Sequence, residues 1–570
     1  MRHLALSAAA MLLLGASRQP TVDYRLGVEA QPGEAPATAT VELRFRGDAD
    51  GETRLELPDQ WASGRELYRY LYDLQVSGAQ VREDGAAARV LSHRPNARIT
   101  VRYRLRSAYD ADPVGIDGNP YKGPLIRPRW MALLGDVAFA APQGREHLPA
   151  TFRWGALPKG WRVASDLEHG RMGRAMTVRD VADSISFAGP ELTVLERPIS
   201  GGALRYVAVP NDTYPSEAFA DQIAKVVSAE RAFWNDVQGP YLVGFVPLVQ
   251  KPGNRSSGGT GRGDAFTLYA TPGLAEQLRW TVAHEHTHTW IAARTGRQPS
   301  GPEQMATAWF HEGFSDFYMV RTLMRAGEVK PEEAVAKLDD ALRGYDANPS
   351  RTAPGPRIVA GFWNDQNLRK LPYQRGALLA LKWDEDIRRK TGGKANLDTV
   401  ILRMRDHYQQ FPASQGPDVV TGLVSAAWVV AQLDLRPDIA RYADGGAPLV
   451  FPEQMFDGCL DLRVTVTPAF DAGFDYAGSF ETKVVRGVRP RGPAWNSGLR
   501  DGMRIEKINL KAGDTTREVE MTVRPARGGK PRQIRYWPYG DTDLETRRLQ
   551  LAHGLAGEAL AACGRRIGGL

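Results

Sequence analysis

The five-residue run His284–His288 reads His-Glu-His-Thr-His. It lies inside a segment from Leu274 to Arg294 whose apolar residues recur at helical spacing, so a helix is predicted there. On a helix His284 and His288 differ by only about 40° in direction and lie one turn apart on one face. Two imidazoles in this arrangement suit one Zn²⁺ ion, and Glu285 on the adjoining face would reach a water beside the metal.

A catalytic zinc site needs a third protein ligand, and the next helical segment offers one. The run Trp309–Phe314 reads Trp-Phe-His-Glu-Gly-Phe and places Glu312 among aromatic residues. A carboxylate in apolar surroundings is costly unless a cation pairs with it, so Glu312 is predicted as the third ligand. His311 is the competing candidate. His286 points about 200° away from His284 around the same helix and is interpreted as a structural histidine.

Length and composition limit the class of protein. A chain of 570 residues predicts three or four domains. Hydrophobic residues make up 42% and charged residues 24%, which excludes disorder as the main state and a multi-span membrane protein. The 73 Lys and Arg against 66 Asp and Glu leave a charge of +7 spread along the sequence, so no nucleic-acid partner is expected.

The N-terminus has the features of an export signal. Residues 1–17 contain a charged start, an apolar run from Leu4 to Ala16 and small residues at its end, which predicts a signal peptide. The alternative is a buried N-terminal helix. A secreted or periplasmic protein without a stable membrane span is therefore expected, because no later apolar run is long enough for one. In an oxidising compartment Cys459 and Cys563 could pair.

The hydrophobic pattern predicts a multidomain α+β protein. Residues 18–202 contain alternating runs such as Thr38–Arg46 and Ala97–Leu105, which are typical of strands and predict an antiparallel β-sandwich. Residues 203–450 change to helical spacing and predict a mainly helical domain. The predicted helices are Ser216–Trp234, Leu274–Arg294, Glu303–Ala326 and Tyr373–Lys390.

The pattern changes again near the C-terminus. From residue 457 to 545 strands return, and the run Gly492–Ile505 predicts a turn, a short helix and a strand. Residues 546–570 are predicted to form an amphipathic helical tail.

These motifs together resemble the gluzincin metallopeptidases, and specifically the glycyl aminopeptidase family that ends in a PDZ domain. The resemblance is carried by His284–Trp290, Trp309–Phe314 and Pro372–Ala377, with weaker support from Leu57–Trp61 and Gly492–Gly502. It implies a thermolysin-like catalytic domain for residues 203–450 and a PDZ-like domain for residues 457–545. The PDZ-like domain would bind the C-terminus of a peptide, with Ala472-Gly473-Phe474 as the candidate carboxylate loop.

The resemblance also implies roles for individual residues. By it, His284, His288 and Glu312 bind zinc and Glu285 is the general base. Tyr373 matches the tyrosine whose hydroxyl stabilises the oxyanion in related enzymes, although packing at a helix start is the other interpretation.

One position departs from the family pattern. Related aminopeptidases hold the substrate's α-amine with a glutamate upstream of the zinc helix, and Gly261 stands at about that place. Asp264 is the only acidic residue between Tyr241 and Ala275. Either Asp264 replaces the glutamate, or it is a turn residue and exopeptidase specificity is lost.

The expected function is that of an exported zinc metallopeptidase acting on peptides or proteins. The resemblance favours an aminopeptidase with preference for small N-terminal residues. Two alternatives stay open: an endopeptidase without an amine anchor, and a catalytically silent protein that serves as a PDZ-bearing interaction module.

Overall fold

The computed structural model describes residues 21–570 apart from gaps at 116–117, 170–174, 212–213, 215, 236–238, 252–254, 292, 300 and 412–414. The signal peptide predicted for residues 1–17 lies outside the described residues. The chain forms two compact units: the first ends at residue 191 and omits residues 111–120, which belong with 192–570 in the second. Within the described ranges, no helix has the length and apolar character needed to cross a membrane.

The first unit is built mainly from strands. Their bounds are β1 (Val22–Glu29), β2 (Thr38–Arg46), β3 (Glu52–Glu56), β4 (Leu71–Ser77), β5 (Gln80–Glu83), β6 (Ala88–Ser92), β7 (Arg98–Leu105), β8 (Leu125–Ile126), β9 (Met131–Leu134), β10 (Ala141–Pro142), β11 (Ala150–Trp154), β12 (Arg162–Ser165) and β13 (Ile185–Gly189). Two short helices, α1 (Gly135–Ala138) and α2 (Val178–Ala182), join them. The predicted strands at Thr38–Arg46 and Ala97–Leu105 are confirmed as β2 and β7.

The expected antiparallel sandwich needs correction. The strands of this unit form three sheets, in the orders β11-β1-β2-β7-β4, β10-β3-β6-β5 and β12-β13-β9-β8. Within the first sheet, β11 pairs with β1 in parallel. Because β11 reaches this sheet after a long connection from β7, it is free to enter in either direction, whereas a tight hairpin forces an antiparallel pair.

The second unit contains the remaining elements. Its strands are β14 (Thr193–Ile199), β15 (Gly202–Ala208), β16 (Tyr241–Pro247), β17 (Ser257–Arg262), β18 (Ala265–Ala270), β19 (Gln454–Met455), β20 (Leu460–Phe470), β21 (Arg504–Asn509), β22 (Val519–Arg524), β23 (Arg532–Tyr536) and β24 (Tyr539–Leu551). Its helices are α3 (Ser216–Trp234), α4 (Ala275–Ile291), α5 (Ala308–Arg325), α6 (Pro331–Asp346), α7 (Gly355–Gly361), α8 (Gln366–Thr391), α9 (Leu397–Tyr408), α10 (Val419–Ala431), α11 (Arg436–Asp438), α12 (Tyr476–Thr482), α13 (Pro493–Asn496) and α14 (Gly557–Gly568).

A five-stranded sheet in this unit has the strand order β14-β15-β16-β18-β17. Strands β15, β16 and β18 are parallel, and both edge strands run antiparallel to their neighbours. The sequence boundary at residue 202 falls in the hairpin between β14 and β15. The first unit ends earlier, at Glu191, because β14 pairs with β15 and so belongs to this sheet.

Three of the predicted helices agree with the structure in their core, and the fourth begins earlier than expected. The spacing of apolar residues places its start at Tyr373. In the structure Pro372 lies inside α8, and the helix begins after Asp365, whose side chain accepts hydrogen bonds from the backbone N–H groups of Asn367 and Leu368. The strong cap at Asp365 starts a helix that continues through the proline.

The C-terminal region, residues 457–570, is built around one long hairpin. Strand β20 pairs with β24 from Leu460 opposite Leu551 to Phe470 opposite Tyr539. Between them lie α12, α13 and the sheet β21-β22-β23, which share an apolar core of their own. The turn, short helix and strand predicted for Gly492–Ile505 are confirmed by α13 and β21.

The predicted helical tail, residues 546–570, is correct only in its last part. Residues up to Leu551 belong to β24, and the helix α14 starts at Gly557. The strand is held from outside, because the backbone N–H of Leu549 donates to Asp339 at 2.8 Å. The end of the chain is fixed by a disulfide between Cys459 and Cys563, so the predicted pairing is confirmed.

Candidate active site

Two histidines on α4 face each other across one helical turn. The ring centroids of His284 and His288 lie 4.8 Å apart, and their Nε2 atoms are separated by 3.1 Å. Both side chains are partly exposed, at 12% and 20%, so they line a surface that solvent and substrate can reach. The i, i+4 spacing therefore places both imidazoles on one face of α4, as the sequence predicted.

Glu312 completes the cluster from α5. Its Oε2 atom lies 3.3 Å from Nε2 of His284 and 3.6 Å from Nε2 of His288. One ligand atom from each of the three side chains lies within 4.8 Å of the other two. Among the residues that the structure describes, this is the one cluster of three or more His, Cys, Asp or Glu side chains close enough to hold a metal ion. His311, the competing ligand, lies outside this set, with its Nε2 at 3.6 Å from Oε1 of Glu312.

The cluster fits a zinc ion. Ligand atoms about 2.0 to 2.1 Å from a tetrahedral zinc lie roughly 3.3 to 3.4 Å from one another. The separations of 3.1, 3.3 and 3.6 Å fall around that value. Two imidazoles and one carboxylate leave the fourth position open, which is the arrangement of catalytic rather than structural zinc sites.

The electrostatics of the cluster favour a positive charge at its centre. Burial alone would lower the pKa of His284, but hydrogen bonds to Asp316 and Glu312 outweigh it and raise the pKa well above its ordinary value. Burial alone would raise the pKa of Glu312, but His284 and His288 hold it well below its usual range. A cation is therefore stabilised at the position where a metal would bind.

Two residues behind the cluster orient the imidazoles. Asp316, one turn after Glu312 on α5, accepts a hydrogen bond at 2.8 Å from Nδ1 of His284. The Ser315 hydroxyl lies 3.3 Å from Nδ1 of His288. When Nδ1 is bonded in this way, Nε2 is directed at the metal, and a carboxylate partner also increases the basicity of the ring.

Glu285 lies between the cluster of His284, His288 and Glu312 and the edge strand β17. Burial raises the pKa of its carboxyl, while His284 and His288 act in the opposite direction. The backbone N–H of Gly261 donates a hydrogen bond to this carboxylate. A Cβ atom added to Gly259 would lie 2.6 Å from Cγ of Glu285, so glycine is required there for the strand to approach the carboxylate.

Tyr373 on α8 contacts both His284 and Glu312. Its ring stacks against His284 with a centroid distance of 6.0 Å, and its hydroxyl forms a hydrogen bond with Glu312. Burial raises the pKa of the phenol well above 10, and the charges of Glu312 and Asp316 add to this effect. The phenol therefore keeps its proton and can donate it in a hydrogen bond.

Asp264 lies in a turn and is not a member of the cluster of His284, His288 and Glu312. It occupies the two-residue connection between β17 and β18, next to Gly263, whose φ is +44°. Burial raises the pKa of Tyr241, and the Asp264 charge contributes in the same direction. Tyr241 packs edge-on against His286 with a centroid distance of 4.8 Å, on the side of α4 that points away from His284. This position favours the turn interpretation of Asp264.

Gly261 leaves space beside Glu285. A Cβ atom added there would lie 3.9 Å from Oε2 of Glu285 and 4.0 Å from Cβ of His288, both ordinary contacts. Gly261, which the sequence places at about the position of the amine-binding glutamate, therefore lies next to Glu285 and carries no side chain.

Sequence reasoning missed three residues near the site: Asp316, Ser315 and Tyr269. Asp316 follows Glu312 by four residues, so helical periodicity could have placed it on the same face. Tyr269 comes from β18, directly across from Gly258. Burial, together with the Glu285 charge, raises the pKa of Tyr269 to about 12. This contact depends on strand pairing, and no local pattern signals it.

Comparison with known proteins agrees with this site. The family model for M61 glycyl aminopeptidases matches residues 277–357, which include His284, Glu285, His288 and Glu312. An aminopeptidase N family protein from Idiomarina loihiensis has a similar structure, with a TM-score of 0.69 and 14% identity over 96% of this chain and 100% of that chain. An M1 zinc metallopeptidase from Deinococcus radiodurans aligns with a TM-score of 0.47 and 16% identity over 76% of this chain and 96% of its own. No curated protein matches in sequence.

The fold and the site define a metallopeptidase. The match over residues 277–357 confirms the resemblance to the M61 glycyl aminopeptidases in the segment that carries the metal cluster. The chain is accordingly a peptidase, and the interpretation as a silent interaction module is set aside.

Proposed function

We propose that this protein hydrolyses peptide bonds as an exported zinc aminopeptidase. The observation that carries the proposal is the convergence of His284, His288 and Glu312 within 4.8 Å, with the Glu285 carboxylate beside them. The M61 match supports the aminopeptidase mode, and the preference for small N-terminal residues follows from that resemblance. The apolar N-terminal run and the disulfide both support export.

The residues divide the chemistry among them. His284, His288 and Glu312 would hold the zinc, which supplies Lewis-acid activation of water and of the scissile carbonyl when bound. Glu285 takes the proton of the attacking water and passes it to the leaving amine. The Tyr373 hydroxyl donates a hydrogen bond to the oxyanion that develops on the carbonyl oxygen. The N–H of Gly261 holds the Glu285 carboxylate in position.

A second function, endopeptidase activity, is favoured by one observation. The side of the site next to β17 carries Gly261 in place of a carboxylate, and Asp264 lies in the turn beyond it. Without an acidic anchor for the α-ammonium, blocked or internal peptide bonds would be cut as readily as terminal ones.

One substrate pair separates the two modes. Glycyl or alanyl anilide is compared with its N-acetylated form, and strong preference for the free amine supports the aminopeptidase. Equal or better cleavage of the acetylated form rejects it.

Because Asp264 lies in a turn, we expect Asp264→Ala to leave the preference for the free amine unchanged. A ten- to hundredfold loss of kcat/KM on the free amine alone would assign the amine to Asp264, since a charge-assisted hydrogen bond is worth roughly 1.5 to 3 kcal/mol.

The space at Gly261 offers a constructive test. Gly261→Glu places a carboxylate beside Glu285 and should raise the preference for the free amine by about tenfold or more. Gly261→Gln has the same length without the charge and serves as the matched control. If both variants change the preference equally, the charge is not the cause.

We also propose that the C-terminal region between β20 and β24 binds the C-terminus of a peptide as a PDZ-like domain. The order of turn, short helix and strand in α13 and β21 supports this, as does Gly473, whose φ is +75° in the candidate carboxylate loop. Titration of the full chain with peptides that end in a free carboxylate or an amide tests it, and equal binding of both forms would reject a carboxylate loop.

A further inference from the structure

A second polar cluster lies on the rear face of α4 and takes no part in the chemistry above. We call it the rear cluster, and it consists of Glu230 on α3 with His286 and Thr287 on α4. All three are buried, with exposures of 1%, 0% and 0%. Buried carboxylates are rare in proteins and call for a specific reason.

Glu230 binds two consecutive residues of the zinc helix. Its Oε2 lies 2.8 Å from Nδ1 of His286, and its Oε1 accepts a hydrogen bond at 2.5 Å from the Thr287 hydroxyl. The same hydroxyl lies 2.8 Å from the carbonyl oxygen of Ala283, so the two oxygens share its proton and the shorter contact is to Glu230. A carboxylate accepts hydrogen bonds only, so Nδ1 is the nitrogen of His286 that carries the proton. The ring is held edge-on between Tyr241 and Trp290, at centroid distances of 4.8 and 5.0 Å.

The helix that carries Glu230 is itself fixed to the sheet. The neighbouring Arg231 donates from Nη1 to the carbonyl oxygens of Ser200 at 2.8 Å and Gly239 at 2.6 Å. Trp234 on the same helix stacks on Trp290 of α4 with a centroid distance of 5.4 Å. Glu230 therefore links α4 to a rigid support.

Stability does not account for this arrangement. Replacing a buried polar group of this kind with well-packed apolar residues is commonly neutral or stabilising. Here the Nε2 atom of His286 has no hydrogen-bond partner among the described residues, which adds a desolvation cost. An apolar contact between α3 and α4 would hold the two helices together at least as well.

The directions of the side chains on α4 indicate what the rear cluster contributes. Successive residues of a helix differ in direction by about 100°. Measured from His284, His288 points to about 40° and Glu285 to about 100°. His286 points to roughly 200° and Thr287 to roughly 300°. Glu230 therefore forms its hydrogen bonds with the face of α4 that is roughly opposite the face carrying His284, Glu285 and His288. At an outer radius of about 5 to 6 Å, a rotation of 10° would displace the Glu285 side chain by about 1 Å. A displacement of that size can cost on the order of a hundredfold in rate.

We propose that Glu230, through His286 and Thr287, is a positioning residue that fixes the rotation of α4 and so aims Glu285, His284 and His288. An apolar contact tolerates small rotations of a helix, whereas two hydrogen bonds to the two oxygens of one carboxylate do not. This inference rests on the proposed peptidase function for its activity readout, and on metal affinity for a readout that does not need activity.

The test uses the full chain and separates positioning from stability. In the double variant Glu230→Met with His286→Leu, the polar pair is replaced by apolar side chains. We expect a Tm equal to or above that of the unmodified protein, with kcat lowered by about tenfold or more and Zn²⁺ bound at least about tenfold more weakly in competition with a chromogenic chelator. Unchanged kcat and unchanged Zn²⁺ affinity at an unchanged Tm would overturn the proposal.

Single variants cover the case in which the double variant does not fold. His286→Asn keeps an N–H donor near the place of Nδ1 and should retain most of kcat, whereas His286→Leu should not. Equal kcat in these two variants contradicts the proposal.

Glu385→Gln is the matched control, because Glu385 is also buried and accepts a hydrogen bond from the backbone N–H of Phe456, far along α8 from Tyr373. It should lower Tm without lowering kcat. If the unmodified protein shows no peptidase activity, the proposed function fails, and the Zn²⁺ affinities alone decide the role of Glu230.

Discussion

The catalytic helices and the C-terminal region belong to the same compact unit, yet they bury different kinds of groups. Helices α4, α5 and α8 bring ionisable side chains together, and these shift one another's pKa values strongly. The C-terminal region instead encloses apolar residues, among them residues of α13 and β21–β23, and ion pairs such as Arg489 with Asp471 lie at its surface. Substitutions of the ionisable side chains around His284, His288 and Glu312 should therefore change catalysis with little loss of stability, and those in the C-terminal region should do the opposite.

A large effect that would sharpen this contrast is expected at Tyr373. Tyr373→Phe removes the hydroxyl but keeps the ring that stacks on His284. We expect kcat to fall by about a hundred- to a thousandfold, because one oxyanion donor contributes on that order, with Tm nearly unchanged. Steady-state kinetics and a thermal melt measure both. A fall in Tm without a fall in kcat would place Tyr373 in helix packing instead.

A smaller effect is expected behind the metal ligands. Asp316→Ala removes the partner of His284 Nδ1, and the zinc affinity should decrease by about ten- to a hundredfold. Chelator competition measures this affinity. Asp316→Asn, which can still accept the hydrogen bond, should lose less, and an equal loss in both variants would contradict an orienting role.

The catalytic region could be predicted from the sequence to a greater extent than the C-terminal region. The positions of His284, Glu285 and His288 follow from helix geometry alone, and the aromatic surroundings of Glu312 indicated its role. Asp316 lies one turn from Glu312 on the same face of α5, so helical periodicity was sufficient to indicate it. Its contact with Nδ1 of His284 on α4 depends on how the two helices pack, which no local pattern shows.

The errors elsewhere come from long-range pairing and from capping. The end of β24 was predicted as helix, since its partner β20 lies about 80 residues earlier and local periodicity does not show it. The start of α8 was placed after Pro372 because the cap at Asp365 was overlooked. The parallel pairing of β11 with β1 is likewise decided by distant contacts.

The smallest effect is expected at Asp514 in the C-terminal region. Burial alone would raise the pKa of this carboxyl, but hydrogen bonds from Thr516 and the charges of Lys511 and Arg343 hold it below its ordinary value. A carboxyl with a lowered pKa in the folded state stabilises the fold at pH above its unfolded value of about 3.9, and this contribution is lost as the pH falls through the folded value.

Asp514→Asn should therefore lower the free energy of unfolding by about 1 kcal/mol at pH 7, with kcat unchanged. The difference from the unmodified protein should shrink as the pH falls below about 4. Urea unfolding at pH 7 and at pH 3 measures it. A difference that stays constant with pH would show that the ionised carboxylate is not the cause.

The central claim is that Glu285 acts on water while His284, His288 and Glu312 hold the metal. Glu285→Gln tests it most directly, with zinc content and peptidase activity measured on the same preparation. The account predicts about one zinc per chain with activity reduced by about a thousandfold or more. Full activity in Glu285→Gln would contradict the mechanism, and activity that is unchanged in zinc-free protein would contradict the assignment to the metallopeptidases.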